Sequence, residues 1–193
     1  MASVGRPRSD ASHAAILKAT YELLQENGLA HLTLDKVASR AGVSRSTLYR
    51  WWPSRGAIAM EAVLDRIAVE APLDISGAST LDTFARLLRS VTRAMRGATG
   101  RIVAGILAEC QRDPETLRLF QEGFLIPRRA KAIQLLQRGM EEGALRPNLD
   151  PNTILDLTFG SLYYRLILNI PLEEAWTEGI VDIMIHGIAA KGE

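Results

Sequence analysis

The sequence predicts an all-α protein of about nine helices, because apolar residues at 3.6-residue spacing fill most of the chain and alternating strand-like runs are nearly missing. Glycine, proline and Ser/Thr/Asp residues punctuate these runs where helices start and stop. A third observation divides the chain. Residues 33–55 read as a helix-turn-helix, which sets a small N-terminal head (9–54) apart from a larger body (55–193).

Residues 1–8 read as a flexible arm. Helix one runs from 9 or 10 to 26, with Ile16, Ala19, Thr20 and Leu23 on one face, and Asn27-Gly28 ends it. Thr33 caps helix two, and Asp35 sits in the positive first turn. Gly42 follows, where the chain needs a left-handed backbone that glycine adopts without strain. Ala38, one turn earlier, is small enough for a close helix crossing, and Val37, Ala41, Val43, Leu48 and Trp51 supply the apolar contacts. Helix three spans about 45–52. Pro53-Ser54 stops it and caps helix four, a connector over 54–70. The stretch 71–79 is small, polar and broken by Pro and Gly, so it is a linker. Further helices are expected near 80–97, 101–112, 114–123, 125–142, 152–169 and 173–190. Asp113-Pro114 and Asp150-Pro151 mark two of the starts, since proline's missing N–H costs nothing in a first turn.

The 193 residues carry a formal net charge of only +1, but the charge is uneven. Residues 1–60 hold eight Lys/Arg against four acids, while the rest is net negative. A basic head on a mildly acidic body suits a chain whose one end meets phosphate. No apolar run reaches the ~18 residues of a membrane span. The N-terminus lacks the apolar stretch of a secretory signal. A single cysteine, Cys110, forms no internal disulfide, and a reducing, cytoplasmic setting is expected.

The second helix of the motif presents Arg45, Ser46, Thr47, Tyr49 and Arg50, all with hydrogen-bonding side chains suited to a DNA groove. Arg45 is the candidate for base readout, because a guanidinium grips guanine O6 and N7 together. Ser44, Ser46 and Thr47 can reach base edges or phosphate. Arg50 either faces outward or adds a phosphate contact. In the arm, Gly5-Arg6-Pro7-Arg8 is a weaker signal. Arg6 either enters an A·T-rich minor groove or belongs to a solvated tail, and the tail is the favoured reading.

The run from Gly28 through Leu34-Asp-Lys-Val-Ala to Gly42-Val-Ser-Arg-Ser-Thr-Leu-Tyr-Arg-Trp-Trp-Pro-Ser-Arg55 resembles the N-terminal domain of TetR/AcrR-type transcriptional regulators. Residues 10–60 carry this resemblance. The remainder is similar in length and helix layout, with Gly160-Ser-Leu-Tyr-Tyr-Arg-Leu-Ile-Leu168 similar to a helix near the end of many such regulators. The resemblance implies a homodimer that reads double-stranded DNA, with a ligand pocket in each body whose occupant releases a pseudo-palindromic operator. It also implies phosphate contacts for Thr33, Tyr49 and Arg55. One tryptophan packs in the head and the other lies against the DNA backbone, with Trp51 favoured for the DNA side; both packing inside is the alternative.

On this reading the pocket lies within the body's helices. Leu88, Met95, Ile106, Phe120, Phe124, Leu136 and Tyr163 are candidate lining residues, and Arg96, Glu109 or Gln134 candidate polar contacts, although ordinary core packing competes for each. The mixture fits a small, largely apolar ligand. The last two helices are the dimerisation candidates. Leu155, Phe159, Leu162 and Leu166 follow helical spacing on one, and Ile180, Met184 and Ile188 on the other. Gly160, Gly179 and Gly187 beside them fit close helix approach. Packing within one subunit is the alternative.

No catalytic, cofactor or metal site is expected: His13, His31 and His186 lack ligand spacing, and phosphate-loop patterns are missing. Three functions stay open. They are a ligand-released repressor, a DNA-binding regulator gated by a protein partner or by concentration, and a non-DNA module. A well-formed, enclosed pocket favours the first. Arg45, Tyr49 and Arg55 held in internal salt bridges favour the last.

Overall fold

The computed structural model describes residues 10–188; the arm, with Arg6, lies outside them. Within that span there are ten α-helices: α1 (Asp10–Asn27), α2 (Leu34–Ala41), α3 (Arg45–Trp51), α4 (Arg55–Glu70), α5 (Thr80–Ala94), α6 (Ala98–Cys110), α7 (Pro114–Phe120), α8 (Ile126–Glu141), α9 (Pro151–Ile167) and α10 (Glu174–Ile188). A π-helical turn, Gln121–Leu125, joins α7 to α8 without a break, so the chain reads as nine continuous helices. No strand occurs among the described residues.

Side-chain caps set most of the helix starts. Thr33, Ser44, Ser54, Ser79, Asp113 and Asp150 each accept a backbone N–H from the first turn of the helix that follows. Gly42 ends α2 at φ 66° and ψ 32°, the left-handed pair that turns the chain toward α3. Three boundaries depart from expectation. A 3₁₀ turn, Leu29–His31, fills the gap before α2, α6 begins at Ala98 rather than near 101, and the expected break between 123 and 125 is the π turn.

The expected face of α1 is buried, with Ile16, Ala19, Thr20 and Leu23 all inside. Ile16 and Leu23 pack with Val37, Ala38, Leu48 and Trp52 to form the head's core. That core does not stop at Ser54. It runs on through Ile58, Val63 and Ile67 of α4 into Ile102, Val103 and Ile106 of α6, then Phe120 and Phe124. A second core lies farther from the head, where Phe84, Leu135, Leu136, Leu155 and Met184 bring α5, α8, α9 and α10 together. The head is therefore seated on the body through apolar packing along α4 and not tethered by a loop.

Candidate nucleic-acid interface and ligand cavity

At the head's outer surface, α3 starts with a small hydroxyl network. Ser44 Oγ accepts from the Thr47 backbone N–H at 3.3 Å and lies 3.0 Å from Ser46 Oγ and 2.8 Å from Thr47 Oγ1. Its N-terminal turn thus presents polar groups beside the positive end of the helix dipole. Arg45 follows, 69% exposed, with its Nε 2.7 Å from Asp35 Oδ1. The two charges touch without the alignment of a hydrogen bond. Such an exposed pair is worth about 0–1 kcal/mol, so Arg45 can leave it for DNA at little cost. Tyr49 stands 57% exposed one turn further on.

The two tryptophans are treated differently. Trp52 is 2% exposed and donates Nε1–H to Glu61 Oε2 at 2.6 Å, while His13 stacks on it with centroids 5.6 Å apart. Trp51 is half-buried, edge-on to Trp52, with the Arg50 guanidinium 5.3 Å from its centroid. Trp52 thus fills the head's core, and Trp51 is the one with surface left to offer.

Arg55, expected on the DNA backbone, has internal partners in this structure. It donates to Ala30 O at 3.3 Å and to Glu109 Oε1 at 2.9 Å. The side chain leaves the first turn of α4 on the face that packs against α6, so it ties head to body. Glu109 is thereby accounted for at the junction and not in a pocket. Next to Arg55, Gly56 lies so close to α7 that a Cβ there would sit 2.2 Å from Thr116 Oγ1.

The body holds a cavity of about 370 Å³ between α5, α8, α9 and the π turn. Leu73, Leu87, Val91, Phe124, Leu125, Ala132, Leu155, Phe159 and Gly160 give it apolar walls, with Arg128, Arg129, Asp156 and Tyr163 as polar members. It is open on one side and not sealed. Of the candidate lining residues, Phe124 and Tyr163 are there. The other five are elsewhere: Leu88 and Leu136 are buried in the cores beyond α5 and α8, Ile106 and Phe120 in the core under α4, and Met95 lines a second, more polar and more open cavity of about 600 Å³ at the α5–α6 turn. Periodicity marks each as inward-facing, which cavity wall and solid core share. Gln134 is exposed, and Arg96 lines the second cavity while donating to Leu172 O at 2.7 Å.

Arg128 and Arg129 were missed by sequence reasoning. A signal existed: two adjacent cations fall in what the sequence marks as a helix's first turn, where the dipole disfavours them. Burial pushes the Tyr163 hydroxyl's pKa up, partly offset by the Arg128 charge. Burial likewise lowers the Arg128 pKa from its ordinary value.

The dimerisation candidates also require a correction. Leu155, Leu162, Met184 and Ile188 are buried, and Phe159, Leu166 and Ile180 pack against the subunit's own cores. The outward stripe is a different one. Leu157, Tyr164, Ile167, Leu168 and Ile183 are each between 54% and 65% exposed. A Cβ on Gly160, Gly179 or Gly187 would meet nothing within 4 Å. Helix α9 carries large apolar residues on more than one face, so its period does not tell which face turns inward.

The geometry defines a helix-turn-helix head fused to an all-helical body with a cavity open on one side. Residues 16–63 match the family described as bacterial regulatory proteins, tetR family. Residues 77–184 match the tetracyclin repressor-like C-terminal domain. The chain is 35% identical to the uncharacterized HTH-type transcriptional regulator YdeS of Bacillus subtilis strain 168, over 96% of this chain and 94% of that one. It is 30% identical to the uncharacterized HTH-type transcriptional regulator Rv1556 of Mycobacterium tuberculosis strain H37Rv, over 88% of this chain and 84% of that one. Among solved structures, the TetR family transcription regulator SCO0332 superposes with a TM-score of 0.78 at 30% identity, covering 93% of this chain and 100% of that one. The chain belongs to the TetR family of DNA-binding transcriptional regulators. Its relatives' role is regulatory and not enzymatic. No helix among the described residues is long and apolar enough to cross a membrane.

Proposed function

We propose that this protein is a dimeric repressor that leaves a pseudo-palindromic operator when a small, largely apolar ligand fills the body cavity. The carrying observation is the continuous packing from that cavity to the head. Phe124 and Leu125 of the π turn line the cavity, and the same helix meets α4 through Thr116 against Gly56. Arg55–Glu109 adds a charged tie at the same junction. A ligand that prefers one seating of the π turn shifts the tilt of α4 and the spacing of two heads, and operator affinity falls by the same coupling free energy. The role belongs in the cytoplasm, where the operator is.

In this reading Arg45 reads bases, Ser44, Ser46 and Thr47 reach bases or phosphate, and Thr33, Tyr49 and Trp51 meet the backbone. Arg6 stays a candidate of the arm. The dimer forms through the exposed stripe of α9 and α10. Five large apolar side chains there, each with over half its surface left to bury and worth about 1–2 kcal/mol when covered, together with three uncovered glycines, fit a four-helix bundle with a second copy. A regulator gated by a protein partner is the alternative, but an apolar cavity of this size favours a small molecule. The test is operator binding titrated against a library of small apolar compounds. At least one compound should weaken binding tenfold or more while leaving non-specific DNA binding unchanged. A library with no active compound, against a protein that binds its operator, would point to the partner-gated reading.

A further inference from the structure

The ligand-cavity reading leaves one polar group unexplained. Arg129 is neutralised: its Nη1 lies 2.6 Å from Asp156 Oδ1, and Nη2 donates to Asn152 Oδ1 at 3.1 Å. Arg128, its neighbour in the same wall, faces no carboxylate among the described residues. Its Nη2 donates to Ala71 O at 2.9 Å, and its guanidinium lies 5.3 Å from the Phe124 centroid. The remaining N–H donors of a guanidinium that carries five are left over. Tyr163, which lines the same cavity and lies near enough to Arg128 to feel its charge, has no hydrogen-bond partner for its hydroxyl among the described residues. A half-buried cation without a counter-ion and a phenol without a hydrogen-bond partner thus stand in a wall whose other charges, Arg129 and Asp156, neutralise each other. Burying a charge without a counter-ion is costly, and a site that does so rewards a ligand that brings one.

The position of Arg128 adds a consequence. Ala71 is the residue that ends α4, so its carbonyl belongs to the negative end of the helix that carries the head. Arg128 caps that end from α8, and in doing so joins the cavity to α4 directly.

Resting on the ligand-cavity reading, we infer that the natural ligand is an amphipathic anion, an apolar body with a carboxylate or similar oxyanion, whose charge is received by Arg128 and Tyr163. The anion binds through the N–H donors that the Ala71 carbonyl leaves over, and its charge draws Arg128 toward the cavity, so binding loosens the cap on α4. A carboxylate accepts two parallel bonds from a guanidinium and is a stronger acceptor than a peptide carbonyl.

The experiment uses matched pairs of acid and alcohol: decanoate with 1-decanol, and 3-phenylpropionate with 3-phenylpropanol. Affinity for the full-length protein is measured by calorimetry at pH 7. In at least one pair the acid should bind tenfold or more tighter than its alcohol, and Arg128→Met should abolish that preference while leaving the alcohol's affinity within threefold. Arg128→Lys keeps the charge and should retain part of the preference, and Tyr163→Phe should reduce it less than Arg128→Met. These two variants serve if the methionine variant does not fold. Alcohols that bind as tightly as their acids would overturn the anion and spare the cavity reading. A preference that survives in Arg128→Met and in Arg128→Lys alike would overturn the assignment to Arg128. Failure of all four compounds to bind would count against the anion and the cavity together.

Discussion

Replacing Gly56 by alanine tests whether α4 and α7 are as tightly seated as the structure shows. The new Cβ would lie 2.2 Å from Thr116 Oγ1 and 3.3 Å from Thr116 Cβ. Thr116 is fully buried, and its hydroxyl donates to Asp113 Oδ2 at 2.5 Å, so it has no free direction in which to swing. Either that bond breaks or the helices separate. Overpacking costs about 1–3 kcal/mol. Losing a hydrogen bond to a carboxylate costs about as much again, though one relaxation relieves the other, so the costs do not add in full. Against them stands the helix-propensity gain of alanine over glycine, at most about 1 kcal/mol. Gly56→Ala should therefore be destabilised by about 1–3 kcal/mol, read from urea unfolding at fixed protein concentration. Thr116→Ala opens the space, so the double variant should be more stable than the sum of the single effects allows. A Gly56→Ala protein as stable as the parent, or more stable, would refute the tight contact and with it the proposed route from cavity to head.

Other predictions follow from the same geometry. Arg55→Ala should leave operator affinity within about threefold, because Arg55 is engaged with Glu109 and Ala30, but should blunt the ligand's effect on it; a large loss of affinity without ligand would return Arg55 to the DNA backbone. Leu157→Asp with Ile183→Asp places charges on the exposed stripe and should convert the proposed dimer to monomer by light scattering, whereas the same change at buried Leu155 should unfold the protein. Burial raises the Cys110 thiol pKa above its ordinary value, so at pH 8 the group stays protonated and alkylation should be much slower in the native protein than in urea. Equal rates in the two states would place Cys110 at the surface.

The head was legible because its determinants are local. Thr33, Ser44 and Ser54 cap helices within three residues of themselves, and Gly42 turns the chain by its own backbone. The body was legible as helices but not as surfaces. Leu88, Ile106 and Leu136 carry the same inward period as Phe124, and only the packing of several helices decides which of them meets empty space. The faces of α9 were misjudged for the related reason that Leu155 and Leu157 are equally apolar. The π turn reads in sequence as a break between two helices, because Gly123 looks like an interruption and nothing in Gln121–Leu125 marks a turn that keeps the helix continuous. Family pattern points Arg55 at DNA, and its charge partner in α6, 54 residues away, is one that local sequence does not reveal.

The most direct test of the account is binding of the purified protein to the DNA upstream of its own gene across a salt series. The account predicts specific binding that weakens steeply as salt rises, and a clear loss of that specificity in Arg45→Ala. Equal, weak binding to every duplex, unchanged by Arg45→Ala, would contradict the assignment of α3 as the element that reads sequence.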